Sequence, residues 1–260
     1  MKVCFLQFNP AFGDKEKNCR AVEDLLKDVV ADIAVIPELF NTGYAFLNEK
    51  ELVNLAEPAS GETYEFMQRL AQGKNIALAY GYPESAGDSI YNSMSFVAPA
   101  GIVATYRKSH LFFEEKFLFN PGDTGFKTFE YAGIKLGMLI CWDWIYPEAM
   151  RTLALQGAQI IIHPANLVTP YCPEAMVTRA IENRVFVVTA DRTGDEIRGD
   201  KKYHFIGKSQ VVAPNGDILT RAGEETCVKV VNVEPELALD KKMNRHNDLF
   251  LDRREDLYFT

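Results

Sequence analysis

Apolar and polar positions along the chain switch between the two-residue and the helical period, and the switches mark out the elements. Residues 2–8 form an apolar run read as a first strand, and Val22, Leu25, Leu26, Val29 and Val30 then share one helical face over 15–30. Asp32-Ile33-Ala34-Val35-Ile36-Pro37 is a short buried strand that delivers Glu38 at its end, followed by a loop from Phe40 to Tyr44. A helix is predicted over 61–73, with Ser60 as its cap and Phe66, Leu70 and Ala71 on its apolar side; Gly73-Lys74 leads from it into a strand, Ile76 to Tyr80. The pattern then changes. Strands 90–97 and 102–107 are joined by Pro99-Ala100-Gly101, and 126–131 and 134–140 flank Ala132-Gly133, with no helix inside either pair.

A helix follows from Pro147 to about Gln156, with Met150, Leu153 and Ala154 inward and Gly157 as its stop. Next come a strand over Ala158 to His163, a helix over Pro173 to Arg184, a strand over 185–190, and strands near 206–213, 217–221 and 227–233, with Pro214-Asn215-Gly216 as a turn. A doubly wound sheet would place a helix between nearly every pair of strands. Helices separated by strand pairs predict instead two layers of sheet with helices outside. No linker or repeat divides residues 1–260, so one domain is expected, with the charged, weakly periodic stretch 235–260 as a tail that wraps the domain's own surface or a neighbour.

Composition narrows the classes. A chain of 260 residues, 47% hydrophobic and 25% charged, suits one large globular domain. No twenty-residue apolar run is present, so no membrane span is expected. Met1 to Phe8 is too short, and too polar at Gln7, for a secretory signal. A net charge of -8 argues against a nucleic-acid partner. Cys4, Cys19, Cys141, Cys172 and Cys227 are scattered without a Cys-x-x-Cys pair, which argues against a disulfide framework and fits a reducing cytoplasm. No histidine pair at ligand spacing and no Gly-rich phosphate loop occurs, so neither a metal nor a nucleotide cofactor is implied.

The chemistry centres on Gly137 to Glu148, an apolar strand that ends in Cys141 and gives way to an aromatic, acidic turn before Pro147 opens a helix. A lone cysteine is more often a buried structural residue. As a nucleophile it needs a base, since the thiolate is the reactive form. Among His110, His163, His204 and His246, His163 at a strand end is the best placed, which leaves a Cys-His pair open. Glu38 is the second candidate: flanked by Ile33 to Pro37 and by Leu39-Phe40, it is expected to be partly desolvated, which raises a carboxylate's pKa towards neutrality. Lys108 closes a third strand, where an ammonium favours a neighbouring thiolate and stabilises an oxyanion.

Three segments carry a resemblance: Ile36-Pro37-Glu38-Leu39-Phe40-Asn41-Thr42-Gly43-Tyr44, Tyr106-Arg107-Lys108-Ser109-His110-Leu111-Phe112, and Leu139-Ile140-Cys141-Trp142-Asp143 with Pro147-Glu148. In order and spacing they resemble the nitrilase superfamily of carbon–nitrogen hydrolases. Supporting matches are Tyr91-Asn92-Ser93, Phe119-Asn120-Pro121-Gly122-Asp123, His163-Pro164-Ala165-Asn166, Arg179-Ala180-Ile181-Glu182-Asn183-Arg184 and Asp252-Arg253-Arg254. The resemblance implies a four-layer α-β-β-α sandwich, pairing into homodimers or larger homo-oligomers with the 235–260 tail at the interface. It implies a catalytic Glu38, Lys108 and Cys141, with a second glutamate before Lys-Phe: Glu115 by the family pattern, Glu114 as the fallback. It implies a thioester on Cys141, with Lys108 and the Trp142 backbone N–H holding the oxyanion.

Residues near the nucleophile, Tyr44, Phe112, Trp142, Trp144, Tyr146 and Asn166, are the candidate pocket lining. They suggest a small, partly apolar substrate. The Phe119 to Phe126 and Ile140 to Asp143 stretches resemble N-carbamoylputrescine amidohydrolases, whereas the short His110-Leu111-Phe112 loop is closer to omega-amidases and small archaeal nitrilases. The expected reaction is hydrolysis of small aliphatic amides or N-carbamoyl amines, with a nitrilase acting on small aliphatic nitriles as one alternative and a non-catalytic binding member as another. Asp143, Glu148, Asn92 and Asn183 are expected as scaffold, Glu148 at the helix start pairing with Arg151.

Overall fold

The computed structural model describes residues 1–258; the last two residues of the tail, 259 and 260, lie outside them. The chain runs β1 (Lys2–Gln7), α1 (Lys15–Leu26), β2 (Ile33–Val35), α2 (Glu49–Leu55), α3 (Glu62–Lys74), β3 (Ala77–Ala86), β4 (Ser89–Ala98) and β5 (Gly101–Arg107). It continues through β6 (Phe129–Tyr131), β7 (Ile134–Met138), α4 (Pro147–Leu155), β8 (Ile160–Ala165), α5 (Tyr171–Asn183), β9 (Phe186–Asp191), β10 (Thr193–Arg198), β11 (Lys201–Ile206), β12 (Gln210–Val212), β13 (Ile218–Arg221) and β14 (Cys227–Asn232). Two six-stranded sheets form, in the orders β14-β1-β2-β3-β4-β5 and β13-β12-β9-β8-β7-β6, and β10-β11 stands apart as a two-stranded ribbon.

Each sheet has a parallel centre, β1-β2-β3 or β7-β8-β9, flanked by antiparallel neighbours. Parallel neighbours need crossovers, which the helices supply. Side chains alternate across β1, and that alternation builds the layers. Val3 and Phe5 face the second sheet in one core, while Cys4 and Leu6 meet Val22, Leu26, Met67 and Leu70 of α1 and α3 in another. On the far side, Met150 and Leu153 of α4 and Met176 and Ala180 of α5 cover the second sheet. The expected α-β-β-α layering is what the fold displays. No helix among the described residues is long and apolar enough to cross a membrane.

Two local expectations are corrected, and two elements are added. Ser60 does not cap α3: the helix starts after Gly61, with no side-chain cap. Helix α2 is additional to the sequence reading; it is short, is capped by the Asn48 side chain and buries only Leu52, so its hydrophobic signal is weak. Ribbon β10-β11 is also additional, because buried Glu196 falls on the face that an apolar pattern would mark. Glu148 is exposed and forms no ion pair with Arg151, whose Nη2 donates instead to the Glu182 carbonyl. The tail past the 3-10 turn Pro235–Leu239 lies against the chain's own surface through Phe250, with Lys241 and Arg151 over its ring.

Candidate active site

Strand ends from both sheets bring the four candidate catalytic side chains together. Glu38 lies just past β2, Lys108 just past β5 and Cys141 just past β7, while Glu115 sits in the 3-10 turn Phe113–Phe117. Glu38 and Lys108 are fully buried, and Cys141 keeps only 6% of its surface exposed. The Lys108 ammonium donates 2.7 Å to Glu38 Oε1 and 2.9 Å to Glu115 Oε1. Glu38 Oε1 also accepts from Asn92 Nδ2 at 2.7 Å, while its Oε2 makes no hydrogen bond among the described residues. Glu115 is fixed further by the Tyr44 hydroxyl, 2.8 Å from Oε1, and by the Phe112 N–H, 3.1 Å from Oε2. Glu114 points elsewhere: it accepts from Lys201 and Tyr203 of β11. The choice of Glu115 over Glu114 therefore has a geometric basis.

Electrostatics follow from two carboxylates around one ammonium in a dry interior. Burial drives an ammonium's pKa down, but Glu115 and Glu38 outweigh it and hold Lys108 above its usual range. Burial, opposed by Lys108, raises Glu115 above the usual carboxylate range. The Cys141 thiol is pushed well above its usual range by burial and then by Glu38, with Lys108 pulling the other way. The resting cysteine is therefore a thiol and needs a base to become a nucleophile. Two carboxylates face the single ammonium, and Glu38 is the one placed to act as that base.

The backbone places these groups with unusual closeness. Cys141 adopts a φ of 41° and opens the 3-10 turn Cys141–Ile145, a left-handed conformation uncommon for a non-glycine residue. Asp143 holds the turn: its Oδ2 accepts from the Ile140 N–H and the Tyr106 hydroxyl, and its Oδ1 from the His110 N–H. Arg179 of α5 donates to the Trp144 carbonyl from below. At Lys108 the Gly122 N–H donates to the Lys108 carbonyl, and a Cβ on Gly122 would stand 2.1 Å from the Arg107 carbonyl oxygen. Only glycine admits that approach. Asn166 ties the two sheets together, its side chain donating to the Glu38 carbonyl.

His163 is not arranged as a base. Its Nε2 lies 2.9 Å from the Cys141 carbonyl, which can only accept, so Nε2 carries the proton and Nδ1 accepts from the Thr189 hydroxyl. Burial pushes its pKa down to about 4, and the ring is neutral at neutral pH. Between about pH 6.5 and pH 4 the unfolded chain takes up a proton that the folded ring refuses. Stability should therefore fall as pH drops through that window and level off below it, by about 3 kcal/mol. Urea unfolding at pH 7 and pH 4 should show native protein losing that much more than His163→Gln. An equal loss in both would reject the neutral-brace role.

The remaining candidates divide. Tyr44 reaches the site through Glu115, and Phe112 packs on Trp142 with ring centroids 4.9 Å apart. Trp144 is buried behind Trp142, edge to face. Tyr146 stacks on His110, centroids 3.7 Å apart, at the surface side of the turn. Asn92, expected as scaffold, contacts the Glu38 carboxylate directly. Glu196 and Arg192, which anchor the Tyr44 loop, were not legible as site residues, since an isolated glutamate and arginine carry no pattern.

Comparison with known proteins shows what the chain as a whole is similar to. The family described as carbon-nitrogen hydrolase matches residues 2–239. A nitrilase from Pyrococcus abyssi is 45% identical over 264 residues, covering 100% of this chain and 99% of that protein. An N-carbamoylputrescine amidase from Solanum tuberosum is 36% identical, covering 98% and 93% respectively. The crystal structure of a carbon-nitrogen hydrolase from Helicobacter pylori superposes with a TM-score of 0.87 at 27% identity, over 99% of this chain and 97% of that one.

Proposed function

We propose that this chain, which belongs to the carbon–nitrogen hydrolase family of the nitrilase superfamily and is an enzyme of that class, hydrolyses small aliphatic amides or N-carbamoyl amines through a thioester on Cys141. The observation that carries this reading is the Lys108 ammonium held between Glu38 and Glu115 beside an almost closed Cys141.

In this mechanism Glu38, through its unpartnered Oε2, takes the proton from the Cys141 thiol as the sulfur attacks the substrate carbonyl carbon. A high thiol pKa means that the proton leaves as the carbon–sulfur bond forms, so base and nucleophile must be aligned beforehand. Lys108 and the Trp142 N–H stabilise the oxyanion; one such donor is worth about 2.7–4 kcal/mol of barrier. The proton on Glu38 passes to the nitrogen, the carbon–nitrogen bond breaks, and ammonia or an amine leaves. Water then gives a proton to Glu38 and adds to the thioester, and the acid departs as the sulfur is reprotonated. Glu115 fixes Lys108 and lines the substrate's approach. The enclosed, aromatic surroundings of Trp142 and Phe112 favour a short acyl group.

Nitrile hydrolysis by the same cysteine is the second reading, favoured by the nitrilase relative. Ammonia release from a panel of short amides, N-carbamoyl amines and nitriles should show amide or carbamoyl turnover, with mass spectrometry of the quenched enzyme finding the acyl group on the peptide that contains Cys141. Nitrile turnover alone would move the assignment to the second reading, and no turnover with no adduct would leave only a binding role.

A further inference from the structure

We propose that Glu196, on ribbon β10-β11, is a positioning residue of the active site that acts through Tyr44. The inference rests on the catalytic reading of Glu38, Lys108, Glu115 and Cys141. Its basis is a run of hydrogen bonds from the ribbon to the Lys108 ammonium.

Strand β10 alternates regularly at its middle: Asp195 and Ile197 are exposed, and Glu196 between them is buried at 6%. A buried carboxylate is costly unless it is fully partnered. Glu196 is: its Oε2 pairs with Arg192 Nη2 at 2.5 Å, and its Oε1 accepts from the Tyr44 N–H at 3.1 Å and from the Ala45 N–H. Arg192 is itself buried, lies over the Phe205 ring at 4.2 Å, and donates to Asn9 Oδ1. The carboxylate thus takes two successive N–H groups of the loop that follows Glu38, a loop with no strand partner at that point.

Tyr44 is the reason this matters. Its ring is set edge-on against Tyr203 and Phe205, centroids 5.4 and 5.9 Å away, both residues of β11. Its hydroxyl donates to the same Glu115 oxygen that receives Lys108. Ribbon β10-β11 therefore fixes Tyr44 twice, by the backbone through Glu196 and by the ring through β11. A shift of the Tyr44 backbone would be passed to Glu115 and from there to Lys108. Misplacement of about 1 Å in such a chain is enough for a loss on the order of 10²-fold in rate. The ribbon lies outside both sheets, so this contact has no evident part in closing the sandwich core.

A double-mutant cycle tests the assignment, with kcat/KM and urea unfolding measured on native protein, Glu196→Ala, Tyr44→Phe and the double variant. Glu196→Ala and Tyr44→Phe should each lower kcat/KM, mainly through kcat, on the order of 10²-fold for Glu196→Ala. The double variant should be no slower than the worse single, because both break one route. Glu196→Gln, which keeps an acceptor for the Tyr44 and Ala45 N–H groups, should recover most of the activity, and it serves where Glu196→Ala does not fold. Multiplying losses in the cycle, unchanged activity in Glu196→Ala, or a Glu196→Gln enzyme that folds but is as slow as Glu196→Ala would each overturn the proposal. Cys141→Ala separates the two levels: if it still turns over, the catalytic reading fails; if it is dead while Glu196→Ala is fully active, only the positioning role fails.

Discussion

Replacing Cys141 with alanine should abolish turnover while leaving the protein folded and close to native stability. The chemistry depends on one sulfur: without it no thioester forms, and neither Glu38 nor His163 sits as an alternative nucleophile. The fold depends on that sulfur very little. The turn that carries it is held by Asp143, by Arg179 and by the His163 bond to the Cys141 carbonyl, all of which touch backbone or other side chains. Alanine keeps the Cβ and meets the same strain at a φ of 41°. Loss of one buried sulfur costs about 1 kcal/mol, the scale of a small core truncation. Initial rates of ammonia release and urea unfolding together decide the matter. Residual turnover above the uncatalysed rate would remove the covalent mechanism. A large fall in stability would instead make Cys141 a structural cysteine, as most buried cysteines are. Glu38→Gln should give the matching result at the base, with a loss of about 10²–10⁴-fold, the range a general base supplies.

Much of this arrangement was legible in the sequence, and the reason is that strand ends carry it. An apolar run that stops at a reactive side chain is a strong signal, and Glu38 and Cys141 each follow such a run, while Lys108 closes a more polar strand. The layering was legible for the same reason: strand pairs without helices between them left only two sheets to build. What was not legible were contacts across sequence distance. His163 looked like a base because the apolar run stops there, yet β8 continues to Ala165 and the His163 ring is turned to a carbonyl by Thr189 on β9, a partner set by sheet register. Asn92 reaches the Glu38 carboxylate because β4 lies beside β3 and the loop after β2 crosses its end, where Gly81 lets the two backbones approach. Glu196 was hidden because the buried position on β10 is charged, and hydrophobic alternation cannot mark a carboxylate whose partners are an arginine and two N–H groups. Helix α2 had too little apolar surface to register, since it buries Leu52 alone.

Replacing Lys108 with methionine should damage stability and turnover together, and a second substitution should separate them. The methionine fills the space of the lysine stem but leaves Glu38 and Glu115 buried with no cation. Breaking a buried pair by removing one partner costs about 3–5 kcal/mol, because the charge left behind has lost its water and its counterion. The site can relieve itself by taking up a proton, which two carboxylates in one pocket do at a pKa well above the ordinary value. The sign follows from that. A folded-state carboxylate pKa raised above the unfolded one means that folding binds a proton, so the variant should be nearest to native stability at low pH and lose ground as pH rises through the raised value. Turnover does not recover at low pH, because the proton that relieves the pocket occupies the base and the oxyanion has lost its ammonium. Lys108→Met with Glu115→Gln should then regain most of the stability at pH 7 and none of the activity. Urea midpoints between pH 5 and pH 8, with ammonia release at each, would show it. A Lys108→Met protein that unfolds at the native midpoint throughout would mean that the carboxylates are already neutral around Lys108, and Glu38 would have to be given up as a base.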